Sequence, residues 1–344
     1  MTSLRDIAAR ARVSIGTVDR VLHHRGRVAP ATQARIRRLL REQDYRPNLH
    51  ARTLSLARDF RFAVLLPRQE QDSGYWKLPV LGIRKAVREL EDYRVEARFF
   101  PFDRYSDSSF VRASAAALRF RPDGVLLAPV RGEAAARLVS SLSGTLPYAL
   151  IDSSLPGGGA LTTIVQDARQ SGLLAAHLMR TIVQRRGHVA IVRVLPADFH
   201  IEDRIRGFLA GIGGGLTREA IIVEVDSRHG RAAFQQALAP VLRRSPSLCG
   251  IYVSNAWTHA VALAVRRLIP GRTLCIVGYD CVKENSALLA RGGIDFLISQ
   301  RPAMQGYEGI RSLFRHVVLG RRVPREITVP LDILTRENLA YYHD

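Results

Sequence analysis

Four polar side chains stand directly after short apolar runs that have the pattern of β-strands. Open α/β sheets bind ligands at the carboxyl ends of their strands, so these positions predict a binding site. Together with Arg204, the two carboxylates and two amides supply acceptors and donors for the hydroxyls of a sugar or polyol. Tyr75 and Trp76, after the first apolar run, can stack on a sugar ring. The four strand-end residues are Asp152, Asn255, Asp280 and Gln300.

The same residues leave a catalytic alternative open. Asp152 and Asp280 match the paired carboxylates of a glycosidase, and each polar residue taken alone also fits a turn. Motifs of other enzyme classes are missing from the sequence: there is no P-loop, HExxH, CxxC or GxSxG. The glycines at 211–213 follow a helical pattern, which indicates a turn. We therefore expect a binding protein without catalytic residues, cofactor or metal site.

Alternating strands and helices must position these side chains. Apolar runs alternate with helical patterns, for example near residues 78–91 and 108–119, and such βα repeats build parallel sheets. Residues 62–344 are about twice as long as one doubly wound domain, so the sequence predicts two such lobes. The strand-like runs are FAVLLP, VEARFFPF, DGVLLAPV, PYALID, HVAIVRVL, AIIVEV, CGIYVS and TLCIVGYD.

The first 45 residues have a different pattern. Apolar residues at helical spacing predict a helix over the first eleven residues, and Ser14 is a good N-cap for a second. Pro30 suits the first turn of a third helix. Two short helices joined by a tight turn, followed by a third, form the helix-turn-helix plan. A recognition helix that begins at Ser14 would present Ile15, Gly16 and Thr17 near its N-terminus, which favours phosphate.

The charge distribution agrees with a polyanionic partner at this end. The 344 residues carry a net charge of +20, and 48 of the 51 basic residues are arginine. Residues 1–60 hold +8 of that charge, about three times the density of the other 284 residues. Charge alone equally allows a solvated basic surface.

Cysteine usage and the N-terminus bear on the compartment. The three cysteines, Cys249, Cys275 and Cys281, are an odd number in one region, which argues against a disulfide framework. The basic N-terminus has no apolar signal segment, and no apolar run is long enough to span a membrane. We expect a cytoplasmic protein.

The N-terminal motifs resemble the DNA-binding headpiece of the lac-repressor (LacI/GalR) family of bacterial regulators. The matching segments are DIAARARVS, TVDRVL, RVAPATQARI and DYRPNLHARTL, which together cover residues 4–55. The resemblance implies that the residues after Ser14 face base edges, that one arginine contacts a base, and that others bind phosphate. It also implies a hinge helix whose leucine enters the minor groove. The DNA-binding residues implied are Ser14, Ile15, Gly16, Thr17, Arg20, Arg27, Thr32, Ala51 and Leu54.

Two positions depart from the family pattern. Arg12 stands in the turn where the family usually has glycine, and a left-handed arginine there would cost about 1 kcal/mol. Asp19 stands where the family usually has serine. A carboxylate repels phosphate, so the serine's contact does not carry over to this chain.

Residues 62–344 resemble the family's effector domain more loosely, which implies a type I periplasmic-binding-protein fold of two lobes. The domains expected are a headpiece at 1–45, a hinge at 46–60 and an effector-binding and dimerisation domain at 61–344. The resemblance implies a homodimeric repressor that binds a near-palindromic double-stranded DNA operator under control of a sugar-like effector. A periplasmic sugar-binding protein explains the lobes but not the headpiece, and a sugar-modifying enzyme remains a second rival. The effector residues implied are Tyr75, Trp76, Asp152, Arg204, Asn255, Asp280 and Gln300.

Overall fold

The computed structural model describes residues 4–22, 26, 28–43, 58–155, 157, 159–183, 187–213 and 220–344. The chain divides into two compact units, Met1–Arg58 and Asp59–Asp344. The first unit contains the helix-turn-helix segment, and the second contains the alternating strands and helices.

The described residues of the first unit form three helices, all within the headpiece, residues 1–45. They are α1 (Leu4–Ala11), α2 (Ile15–Leu22) and α3 (Pro30–Glu42). Each helix places apolar residues at helical spacing on its inner face, and these faces meet in one small core. The fully or nearly fully buried members are Ile7, Ala8, Ala11, Val18, Val21 and Ile36.

The turn between α1 and α2 contains a left-handed residue. Arg12 has φ +52°, in the region that favours glycine. The backbone N–H of Val13 donates to the carbonyl of Ala8 at 3.0 Å and closes the end of α1. Arg12 therefore has the left-handed conformation that costs a residue other than glycine about 1 kcal/mol.

The second unit has two six-stranded sheets, each in its own lobe. In the first lobe the strand order is β11-β5-β4-β3-β1-β2, and all pairs are parallel. In the second lobe the order is β12-β10-β9-β8-β6-β7, and only β12 runs antiparallel to its neighbour. The strands are β1 (Phe60–Leu65), β2 (Val95–Phe99), β3 (Gly124–Leu127), β4 (Tyr148–Ile151), β5 (Thr162–Val165), β6 (His188–Leu195), β7 (Ala220–Asp226), β8 (Leu248–Val253), β9 (Cys275–Tyr279), β10 (Phe296–Ser299), β11 (Glu326–Thr328) and β12 (Asp332–Leu334).

Helices cover the faces of both sheets, as the βα repeats predict. The buried strands are almost uniformly apolar, because a parallel sheet with helices on both faces leaves no wet side. The helices of this unit are α4 (Lys77–Glu89), α5 (Asp107–Arg119), α6 (Gly132–Leu142), α7 (Ala168–Ile182), α8 (Phe199–Ile212), α9 (Gly230–Arg244), α10 (Thr258–Leu268), α11 (Lys283–Ala290) and α12 (Pro302–Val317).

The chain passes between the lobes three times. It leaves the first lobe after β5, returns after β10 into α12, which packs on α4 and the first sheet, and crosses again between β11 and β12. Gln166 and Gln300 lie at the first two crossings, directly after β5 and β10. These crossings place residues from distant parts of the sequence at the cleft between the lobes.

Candidate functional site

The N-terminal end of α2 presents the side chains that the sequence predicts for DNA contact. Ser14 Oγ accepts from the backbone N–H of Thr17 at 3.2 Å and caps the helix. Ile15 is 45% exposed, and Ser14, Gly16 and Arg20 are also exposed. Arg20 Nε donates to the carbonyl of Gly16 at 3.1 Å, so this guanidinium lies along the helix towards its N-terminus. The first turns of α2 thus expose an apolar side chain, that of Ile15, and a guanidinium, that of Arg20.

The remaining predicted DNA contacts divide into two groups. Thr32 lies half-buried in the first turn of α3. Arg27, Ala51 and Leu54 lie outside the described residues. Their roles stay predictions from the resemblance.

A small cavity, with about 30 Å³ of space open to a water-sized sphere, lies in the cleft between the lobes of the second unit. All seven residues predicted for the effector site line it, and they come from both lobes. They are joined by Asp72, Arg104, Pro196, Asp198, His200, Ile201 and Ala256.

The strand-end residues meet here for a topological reason. Asp152 follows β4, Asp280 follows β9 and Gln300 follows β10, so the carboxyl ends of strands from both sheets face the same cleft. Asp152 and Asp280 have φ of +72° and +64°. Asp tolerates this left-handed conformation better than most residues do, and such strained positions concentrate at functional sites.

A chain of hydrogen bonds joins the backbone of Asp152 in the first lobe to the carboxylate of Asp280 in the second. The backbone N–H of Asp152 donates to Gln305 Oε1 at 2.7 Å, and Gln305 Nε2 donates to the carbonyl of Gln300 at 2.9 Å. Gln300 Nε2 then donates to Asp280 Oδ1 at 3.2 Å. Gln305 belongs to α12, so the second crossing between the lobes fixes the positions of Asp152 and Asp280 relative to each other.

Tyr75 and Trp76 form part of the cavity wall, with their polar atoms bonded to carboxylates. Tyr75 donates its hydroxyl to Asp152 Oδ1 at 2.7 Å, and Trp76 Nε1 donates to Asp72 Oδ2 at 2.7 Å. The two rings pack edge to face with centroids 5.0 Å apart. These contacts orient the acids, and the sugar-stacking role of the rings stays a prediction.

Arg204 is the fully buried cation of the second lobe. It is 0% exposed, and its Nη1 donates to the carbonyl of Ser254 at 3.0 Å. Its guanidinium lies 3.9 Å from the centroid of the Tyr279 ring, and its Nε and Nη2 donate to the side-chain oxygen of Gln166. Gly172 of α7 has no Cβ, which allows α8 to approach closely and brings Arg204 into the cleft. A Cβ at this position would overlap the carbonyl oxygen of Arg204.

Sequence reasoning missed a second buried cation, Arg104. Its Nη1 donates to Asp72 Oδ2 in its own lobe, and its Nη2 donates to Asp198 Oδ2 at 3.1 Å in the other lobe. Nη2 also lies 3.2 Å from the carbonyl oxygen of Pro196. Asp72, Arg104 and Asp198 lie in the loops that follow β1, β2 and β6, but none stands directly after its strand as Asp152 does. A strand-end rule widened to include these loops would have found all three.

Burial shifts the acids towards the neutral form. It raises the pKa of Asp152 to about 6 and that of Asp198 and Asp280 to about 7, against the partial opposition of the arginines. Burial and the two arginines hold the pKa of His200 well below its ordinary value, so this side chain is neutral at pH 7. The carboxylates of Asp72 and Asp198 outweigh burial and raise the pKa of Arg104.

The described part of the chain shows neither a metal-binding cluster nor a membrane-spanning helix. No group of three or more His, Cys, Asp or Glu side chains there is arranged to hold a metal ion. No helix in the same residues has the length and apolarity needed to cross a membrane. The predicted site residues contribute carboxylate, amide, hydroxyl and guanidinium groups to the lining of the cavity.

Comparisons with known proteins agree with both units. Residues 62–321 match the periplasmic binding protein domain, and residues 3–48 match the lacI family of bacterial regulatory proteins. The HTH-type transcriptional regulator DegA of Bacillus subtilis (strain 168) is 22% identical over 351 residues, covering 98% of both chains. The sucrose operon repressor of Klebsiella pneumoniae is 27% identical over 263 residues, covering 72% of this chain and 75% of the repressor.

Solved structures show the same fold for the second unit. A protein described as a LacI transcriptional regulator from Bacteroides fragilis superposes with a TM-score of 0.75 at 26% identity, covering 83% of this chain and all of the other. A solute-binding protein of Burkholderia graminis C4D1M, in complex with D-arabinose, has the same TM-score at 19% identity, covering 84% of this chain and 99% of that protein. The chain is therefore a member of the lacI family of bacterial transcriptional regulators, with a helix-turn-helix headpiece joined to a periplasmic-binding-protein domain.

Proposed function

We propose that this regulator is a homodimeric repressor that binds a near-palindromic operator and responds to a small sugar-like effector. The observation that carries the effector half is the single cavity lined by Asp152 of the first lobe and Arg204 and Asp280 of the second. A repressor of a sucrose operon among the relatives supports the same assignment.

Direct contacts between the two lobes stabilise the closed arrangement of the cleft. Arg104 bonds to Asp198 across the cleft, and the Tyr105 hydroxyl lies 3.0 Å from Ser227 Oγ. A ligand that touches both lobes stabilises this closed arrangement in preference to an open one. Effector and operator must then change each other's affinity by the same factor, whichever direction the coupling takes.

The DNA half rests on the headpiece and on two-fold symmetry. Two headpieces of a dimer bind the two halves of a near-palindrome, with the exposed face of α2 directed at the bases. The hinge residues Ala51 and Leu54 are proposed to complete binding in the minor groove. The polyanionic operator accounts for the dense positive charge of residues 1–60.

One experiment tests the proposal. Operator sequences are selected from random DNA with the full chain, and affinity is measured by fluorescence anisotropy with and without residues 1–60. The deletion should abolish specific binding, and affinity of the full chain should fall with salt at a log–log slope of about −0.9 per phosphate contact. Analytical ultracentrifugation of the full chain measures its mass in solution, which should be that of a dimer. Retention of operator affinity by the truncated protein would refute the DNA half, and turnover of a sugar would favour an enzyme.

A further inference from the structure

The cavity holds more acid than base. Four carboxylates line it, from Asp72, Asp152, Asp198 and Asp280, whereas Arg104 and Arg204 supply two positive charges. His200 adds no charge near pH 7, because burial lowers its pKa well below the ordinary value. The described lining therefore carries two net negative charges when all four acids are ionised.

The excess lies on one side of the cavity. Arg104 bonds directly to both Asp72 and Asp198. Asp152 and Asp280 instead bond to neutral donors, the hydroxyl of Tyr75 and the amide of Gln300. Among the residues that the structure describes, neither of these two acids forms a direct ion pair.

Arg204 does not fill this role, since its donors are directed elsewhere. They contact the carbonyl of Ser254 and the side chain of Gln166. Arg204 still acts on Asp152 and Asp280 through space, and it opposes the effect of burial on the pKa of each. One guanidinium thus faces two carboxylates without a contact to either.

An unpartnered acceptor adds an independent sign of a missing donor. Oδ1 of Asp72 is buried and has no hydrogen-bond partner, while Oδ2 of the same carboxylate is bonded to Trp76 and Arg104. The side chain of Asp72 is only 7% exposed and lines the cavity. A buried acceptor without a partner is costly, so a ligand that donates to it gains affinity.

We propose that the effector carries a protonated amine on a polyhydroxylated frame, as in an amino sugar, and that Asp152 and Asp280 bind the ammonium group. The inference rests on the proposed function, because it names the ligand class of that same cavity. An ammonium supplies the missing positive charge and three donors, whereas beside a neutral sugar the two acids lose their excess charge only by taking up protons, as their raised pKa values indicate. A sugar acid would add a further negative charge and be repelled.

Thermal shift of the full chain provides the first arm of the test. The probes are D-glucosamine, D-galactosamine and D-mannosamine, each matched with its neutral hexose, its N-acetyl derivative and the corresponding uronate. The amines should raise the unfolding midpoint, and acetylation, which removes the charge, should abolish the shift. Asp280→Asn should weaken amine binding tenfold or more. A larger shift with a neutral hexose, an N-acetyl sugar or a uronate than with its amine would overturn the proposal.

The second arm uses the ligand-free protein, so it tests the uncompensated charge of the cavity even if no probe shifts the midpoint. Asp280→Asn keeps the shape and the left-handed backbone, and it removes one uncompensated charge, so the ligand-free midpoint should rise at about pH 8. Asp332→Asn is the matched control. Asp332 forms an ion pair with Arg301 at 2.7 Å, so its neutralisation should lower the midpoint. A fall with Asp280→Asn as large as with Asp332→Asn would overturn the proposal.

The two proposals fail in different ways. Release of operator DNA by a neutral sugar would refute the ammonium assignment and leave the proposed repressor intact. Absence of operator binding by the full chain would strike the proposed function itself, whatever the cavity binds.

Discussion

Replacing Arg204 with methionine should strongly destabilise the second unit. The guanidinium is fully buried, and it offers the nearby positive charge on which Asp152 and Asp280 depend. Methionine fills most of the space with an apolar chain that suits a helix, so the effect reports mainly on charge and hydrogen bonding.

The magnitude follows from what is lost. The bond from Arg204 to the carbonyl of Ser254 is a charge-assisted hydrogen bond, worth about 1.5–3 kcal/mol. Removing one member of a buried charge system costs about 3–5 kcal/mol, because the opposite charge stays buried without compensation. These two figures describe overlapping losses, so we expect about 3–5 kcal/mol in total. For a unit of this size, Asp59–Asp344, the midpoint should fall by about 5–8 °C.

The control lies on the same helix, two residues away. Arg206 is 71% exposed in its side chain and pairs with Asp203 at 2.9 Å, so Arg206→Met should change stability by less than about 1 kcal/mol. Differential scanning calorimetry of the full chain measures both variants. The loss in Arg204→Met should shrink towards pH 5, where the two orphaned carboxyls take up protons. Equal midpoints for the two variants would refute the role assigned to Arg204.

Three other predictions concern single positions. Gly172→Ala should cost about 1–3 kcal/mol, because its Cβ overlaps the backbone of α8, whereas Gly213→Ala, with nothing within 4 Å of the added atom, should be nearly neutral by thermal melting. Arg12→Gly should stabilise the headpiece by about 1 kcal/mol, since φ at this residue is +52°; an unchanged melting midpoint for the headpiece would contradict the strain argument. The pKa of Asp280, raised to about 7, means that the folded protein holds this proton more tightly than the unfolded chain, so wild-type stability falls as the pH rises from about 4 to about 7. The gain in unfolding free energy from Asp280→Asn should therefore reach about 4 kcal/mol near pH 8, be smaller near pH 5 and vanish near pH 4, and a gain independent of pH would count against it.

Local pattern was enough to predict the headpiece and most of the two sheets. The apolar runs of the sequence all form strands, because a strand buried on both faces has an unmistakable composition. Four short strands, β5, β10, β11 and β12, lie outside the eight predicted runs, and only β10 was implied, by the placement of Gln300 at a strand end. Strand β5 is half threonine, and β11 is a mostly exposed edge strand of three residues, so neither has an apolar run to detect.

The candidate site was predictable to the extent that topology alone determines it. Asp152 and Asp280 stand immediately after strands, and parallel sheets bring all strand ends to one edge. Arg104 lies five residues beyond the end of β2, and its partner Asp198 is 94 positions further along the chain. No spacing rule connects two such residues, because their contact exists only once the lobes face each other.

The two buried arginines of the cavity, Arg104 and Arg204, therefore have different structural roles. Arg104 bonds to Asp72 in its own lobe and to Asp198 in the other, so its contact with Asp198 exists only in the closed arrangement and contributes to closure whether or not a ligand is present. Arg204 bonds only within the second lobe and the first crossing, and it leaves Asp152 and Asp280 without a direct partner. A ligand that compensates these two acids removes the unfavourable charge that closure buries. Under the proposed function, the ligand then binds the closed arrangement more tightly than the open one. This difference in affinity shifts the equilibrium between the two arrangements, and the shift changes the affinity of the dimer for its operator.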